Sequence, residues 1–227
     1  MQTHIHTEAD LDMALAALRE ADPRFAALIA ASGRPPLRRR SGGFAGLAAT
    51  IVSQQLSTAS AAAIWGRLAA AFDPFVPDAI LKARPARLAR LGLSGAKIRT
   101  LKAIARAVKR QELKFAALGE LTAEEAHAAL TAIHGIGPWT ADIYLLSSLG
   151  HADAWPAGDL ALQEAARLAF GLRARPTAKE MAALAEPWRP WRAVAARVLW
   201  TYYRAVKGRE GAPVQPPTAA QEVGNAR

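Results

Sequence analysis

Alanine, leucine and arginine dominate this chain, and runs of β-branched residues are scarce, so almost every stretch long enough to be an element favours helix over strand. The expected fold class is therefore all-α. Glycine and proline punctuate the sequence at Gly33 to Pro36, Asp73-Pro74, Pro77, Gly92 to Gly95, Gly135 to Pro138, Trp155 to Gly158 and Pro187 to Pro190. About ten helices of ordinary length fit between these breaks. Two helix starts carry a capping box, in which a threonine and a glutamate three residues on satisfy each other's backbone N–H groups: Thr122 with Glu125, and Thr177 with Glu180. No repeat of solenoid length is present. From Gly208 to Arg227 periodicity gives way to Pro, Gly and polar residues, which predicts a disordered tail over 208–227.

The 227 residues are 52% hydrophobic, enough to bury a core, yet carry a formal charge of +10. A folded protein with that balance expects a polyanionic partner. The absence of cysteine removes disulfides, thiolate zinc sites, cysteine nucleophiles and cysteine-bound iron–sulfur clusters together. The polar, acidic start MQTHIHTEAD does not read as a signal peptide, and no apolar stretch approaches the roughly 20 residues that span a bilayer. These features predict no membrane association and, in a bacterium, a cytoplasmic protein near the nucleoid. A helix expected over 96–110 places Ile98, Leu101, Ala105 and Val108 on one face and Arg99, Lys102, Arg106, Lys109 and Arg110 on the other, either as a solvated surface or as a contact to nucleic acid. His4 and His6 are expected in a frayed terminus, and His127, His134 and His151 share no metal-ligand spacing.

The most informative segment runs from Leu130 to Ala141, LTAIHGIGPWTA. A capped helix enters Gly135-Ile136-Gly137, and Pro138 is placed to open the next helix at its first turn. Two glycines around one apolar anchor, Ile136, give a tight reversal whose backbone N–H groups and following helix dipole suit an anion. A plain helix connection with a glycine cap would share the GxG string. The whole segment resembles the helix-hairpin-helix motif of the helix-hairpin-helix DNA glycosylase superfamily, and within it is similar to the DNA-3-methyladenine glycosylase II family. Three more stretches match in order: Ile51 to Ser57 (IVSQQLS), Leu91 to Lys97 (LGLSGAK) and Trp155 to Leu160 (WPAGDL). The resemblance covers about residues 40–205 of a glycosylase domain taken as 1–207 with two helical lobes.

The resemblance implies a monofunctional glycosylase that removes alkylated purines such as 3-methyladenine and 7-methylguanine from double-stranded DNA during base excision repair. Asp159 takes the place of the family's catalytic aspartate; by residue type it is equally an N-cap for the helix from Leu160. Asp142 and Asp153 are the rival carboxylates, each more simply solvated or capping. Trp139, Trp200 and Tyr144 are the expected walls of a base pocket, although a tryptophan in a helical bundle is by default core. Base flipping demands a wedge, implied at Gln55 and Leu56, with Gly135, Ile136, Gly137 and Thr140 meeting DNA. The carbonyls of Thr131, Ile133 and Gly135 are the implied seat of a sodium or potassium ion; no other cofactor is expected, and a monomer is. In relatives that also cut the strand the resemblance places a lysine in the helix before the hairpin, and the matching position is Ala128, which implies no lyase step. A non-catalytic DNA-binding module and a glycosylase for deaminated or oxidised bases are the alternatives.

Overall fold

The computed structural model describes residues 4–208, so the predicted tail, apart from Gly208, lies outside the described residues. Helices α1 (Glu8–Ala21) and α2 (Arg24–Ser32) are followed by an extended segment, then α3 (Gly43–Ser53) and α4 (Thr58–Ala71). Next come α5 (Pro77–Lys82), α6 (Pro85–Arg90), α7 (Gly95–Lys109), α8 (Phe115–Leu118), α9 (Ala123–Thr131) and α10 (Pro138–Tyr144), the last running into a wide π-turn over Leu145–Leu149. Helices α11 (Leu160–Ala169), α12 (Ala178–Ala185) and α13 (Arg192–Lys207) complete the fold, with a short 3₁₀ turn at Glu186–Trp188. Among the described residues there is no strand.

Both predicted capping boxes form, at Thr122/Glu125 and Thr177/Glu180. A third, unforeseen one opens α1, where Thr7 and Asp10 exchange the same bonds. The predicted basic helix is α7: Ile98, Leu101 and Ala105 are buried, Ile104 joins them, and Val108 is only half-buried. Much of its charge is committed to the fold, since Lys102 donates to the carbonyls of Leu81 and Ala83 at 3.1 and 2.8 Å, and Lys97 to those of Val52 and Gln54 at 2.8 and 2.9 Å. Lysine ammonium groups thus close the C-terminal ends of α5 and α3, where carbonyls lack helical partners.

The helices form two groups around one continuous core. Helices α3 to α10 pack together, with α5 and α3 against α7 and α10 against α3 and α9. The second group joins the two ends of the described chain: α1 and α2 pack on α13, which also carries α11. The segment that holds His4 and His6 is docked, not frayed as expected. Ile5 is fully buried, its N–H donates to the Gly150 carbonyl at 2.7 Å, and Arg39 donates to its carbonyl at 3.0 Å. His4 and His6 sit in that docked segment, with the His4 ring 4.6 Å from that of His151. No group of His, Cys, Asp or Glu among the described residues is arranged to hold a metal.

Candidate active site

The hairpin has the predicted form, with α9 ending at Thr131 and Pro138 opening α10 directly after Gly137. Gly135 lies at φ +88°, and a Cβ there would come within 2.0 Å of Thr100 Oγ1, so the turn is seated directly on α7. Ile136 is buried as the anchor, while Gly135 and Gly137 are exposed. The Ile133 carbonyl accepts from Ile136 N–H at 3.0 Å and so keeps one lone pair for any further ligand.

Asp159 N-caps α11, its Oδ1 accepting from Leu162 N–H at 2.8 Å. The same carboxylate accepts from two indoles: Trp139 Nε1 at 2.7 Å on Oδ2, and Trp200 Nε1 at 3.2 Å on Oδ1. Capping and placement are therefore one arrangement, since three N–H donors fix a side chain that is only 6% exposed. The preceding loop is rigidly held. Asp159 N–H donates to the Pro156 carbonyl at 2.9 Å, Gln163 Nε2 ties the Ala157 carbonyl at 2.9 Å, and Trp155 Nε1 bonds the Met181 carbonyl at 3.1 Å. A fixed carboxylate of this kind can stabilise positive charge that develops beside it without reorganising.

Of the three expected pocket aromatics the structure brings Trp139 and Trp200 together on Asp159 and leaves Tyr144 elsewhere. Tyr144 is fully buried, its hydroxyl 3.5 Å from the Gly43 carbonyl, and burial pushes its ionisation well above the ordinary tyrosine range. It lies five residues beyond Trp139 on α10, about 140° round the helix, which turns it into the core. Thr140 also faces inward, 2% exposed and accepting from Gln54 Nε2 at 2.7 Å, so its hydroxyl is not at the surface where DNA would lie. Gln54 is the residue that sequence reasoning missed: it links the end of α3 to the hairpin, whereas its neighbour Gln55 is exposed and held at φ +55°. That left-handed backbone costs a non-glycine residue about 1 kcal/mol. Leu56 beside it is half-buried.

A cleft of about 560 Å³ opens between α9, α10, the 153–158 loop and α12, walled by Trp139 and Trp155 and lined by Asp142, His127 and Gly158. Asp142 is not solvated as expected. Its side chain is 14% exposed, and burial, opposed by the charge of Arg192, raises its pKa to about 8. Asp153 is not a plain loop or capping residue either, because it is paired with Arg189 and Arg192, the latter at 2.6 Å. Ala128 lies on the exposed side of α9 and does not line the cleft. It therefore says nothing about an amine nucleophile; the hairpin residue that touches Asp159 is Trp139. His134 is exposed in the hairpin.

A helix-hairpin-helix seated beside a rigid aspartate, in an all-helical scaffold, places the chain in a class of DNA-repair folds. The profile of the HhH-GPD superfamily of base excision DNA repair proteins matches residues 48–190, and the chain belongs to that family. It is 35% identical over 161 residues to a probable bifunctional transcriptional activator/DNA repair enzyme AlkA of Mycobacterium tuberculosis, covering 66% of this chain and 32% of that one. The chain thus spans about a third of the length of that relative. The alkylbase DNA glycosidase-like protein mag2 of Schizosaccharomyces pombe is 29% identical over 162 residues, 69% of this chain and 76% of its own. Among solved structures, the S. pombe 3-methyladenine DNA glycosylase Mag1 in complex with abasic DNA superposes with a TM-score of 0.74 at 28% identity, over 85% of this chain and 95% of that chain. The DNA-3-methyladenine glycosidase of Bacillus halodurans gives 0.74 at 26% identity, over 92% and 94%.

Proposed function

We propose that this protein is a monofunctional DNA glycosylase that hydrolyses the N-glycosidic bond of alkylated purines, 3-methyladenine and 7-methylguanine, in double-stranded DNA as a step of base excision repair. The observation that carries this reading is the Asp159 carboxylate held by two indole N–H groups and a helix N-terminus next to the hairpin. The C1′–N bond breaks with its electron pair leaving on the base, which a cationic methylated purine accepts without a general acid. The carboxylate faces the charge that develops on the sugar, water attacks C1′, and its proton leaves to the carboxylate or to solvent, giving an abasic site. The group on Asp159 is an indole, which cannot form a Schiff base, so the strand stays intact.

Exposed Gly135 and Gly137, anchored by Ile136, would set the backbone against a phosphate, and Gln55 with Leu56 would fill the gap left by the extruded nucleotide. A sodium or potassium ion bound by the carbonyls of Thr131, Ile133 and Gly135 would add positive charge at that phosphate. The protein works as a monomer, in a bacterium at the nucleoid. The test is release of 3-methyladenine and 7-methylguanine from methylated duplex DNA, with borohydride added in parallel. Wild type releases both bases and leaves no trapped adduct, and Asp159→Asn is slower by about 10²-fold or more. Equal rates would remove Asp159 as catalyst, and a trapped adduct would overturn the monofunctional assignment. No release by wild type would favour a DNA-binding module or a glycosylase for deaminated or oxidised bases.

A further inference from the structure

Trp139 and Asp142 stand three residues apart on α10 and therefore on one helix face, and both line the 560 Å³ cleft. The indole offers a flat wall and the carboxyl an edge one turn further on. Across the cleft stand Trp155, on its loop, and His127 of α9, whose Nε2 is 3.7 Å from Asp142 Oδ1. The other two carboxylates of this region are already matched: Asp153 and Glu124 lie 2.6 and 3.1 Å from Arg192, and Glu124 lies 2.9 Å from Arg189. Asp142 is the cleft carboxyl that no arginine touches. Its wall residue, Trp139, donates through Nε1 to Asp159, which itself does not line the cleft, so one indole joins the cleft to the proposed reaction centre.

We propose that Asp142 is a specificity-determining residue whose side chain meets the edge of a methylated purine stacked against Trp139 and favours the ring that carries positive charge. This rests on the function proposed above and adds to it the group that tells a methylated purine from an ordinary one. A π face and a carboxylate both gain from a cationic ring, whereas a neutral purine gains from the face alone. Burial raises the pKa of the Asp142 carboxyl to about 8 and so favours its neutral form. A cationic ring in contact draws the carboxyl back to its ionised form, as any opposite charge does. Ordinary purines find a neutral acid there, with no charge to attract them.

The test uses stable nucleosides as probes: 7-methylguanosine, which is cationic, against guanosine, by quenching of tryptophan fluorescence. Wild type is expected to bind the cation more tightly, by roughly tenfold, the size of one charge-assisted contact. Asp142→Asn, which keeps shape, and Asp142→Ser, which removes bulk, should both cut the preference to the smaller one that the π face alone supplies. The preference is a ratio within one protein, so loss of folded material lowers both arms equally and leaves the ratio intact. No preference in wild type, or a preference undiminished in both Asp142 variants, overturns the assignment. Base release from methylated DNA by wild type is scored separately. If release fails while the preference holds, the catalytic reading falls and the cleft assignment stands; if release succeeds without the preference, the reverse follows.

Discussion

At Asp159 one side chain carries the observed helix cap and the proposed catalytic role, which sequence presents as rivals. Its Oδ1 caps α11 and its Oδ2 takes the Trp139 indole, so the cap supplies the rigidity that a charge-stabilising carboxylate needs. Trp139→Phe keeps a ring at the wall and deletes the N–H. It should slow base release by about tenfold, the worth of a hydrogen bond to a charged group, with little change in DNA affinity. Single-turnover kinetics and a binding isotherm on the same variant check both halves, and an unchanged rate would reduce Trp139 to packing. The residues that could be read from sequence were those whose role is local: Asp159 follows Gly158 and begins a helix, and Pro138 follows Gly137. Tyr144 and Asp142 could not be placed that way. Both depend on which face of α10 meets the rest of the protein: Tyr144 packs by Phe115 and Gly43, and Asp142 faces His127 and Arg192, all on other elements.

Among the elements, the hairpin shows why a short glycine string carries so much structure. Its first glycine is needed twice over, for a left-handed backbone and for the close approach of Thr100. Gly135→Ala should therefore cost more than the ~1 kcal/mol of left-handed strain alone. In the double variant with Thr100→Ala part of the excess should return, because the 2.0 Å clash with Oγ1 is removed while Cβ at 2.9 Å and the strain remain. Thermal or denaturant unfolding of the single and double variants measures this coupling, and strict additivity would contradict the contact. Capping boxes with glutamate were legible; the one at Thr7 was not, because its acceptor is Asp10. The segment Leu91 to Lys97 was matched only as a pattern. In the fold it reads physically, as Ser94 capping α7 and Lys97 closing α3.

For the molecule as a whole, the formal charge of +10 overstates what DNA meets. Arg197 is 5% exposed, its pKa lowered to about 10 by burial, and Arg192 lies in an ion-pair network. Binding to undamaged duplex should fall with salt at a log–log slope of roughly −4 to −6, since each neutralised phosphate contributes about −0.9. Gly137 has open space around a Cβ and an ordinary φ, so Gly137→Leu should fold normally and bind more weakly at an unchanged slope. A steeper or shallower slope in that variant would mean that the hairpin contact is not an uncharged one. All-helical architecture was visible in composition, and the position of the hairpin in its motif. That the first two helices belong with the last was not, because no local pattern encodes contacts across most of the chain.

That closure has a consequence for how the protein comes into being. Arg197 of α13 bonds the carbonyls of Leu37 and Leu146, while Arg39 bonds those of Ile5 and Ser148, so one junction ties the beginning, middle and end of the described chain. During synthesis α1 and α2 emerge well before α13, the helix they pack on. The early pair therefore gains its main packing partner only after some 160 further residues have been made, so this junction closes late.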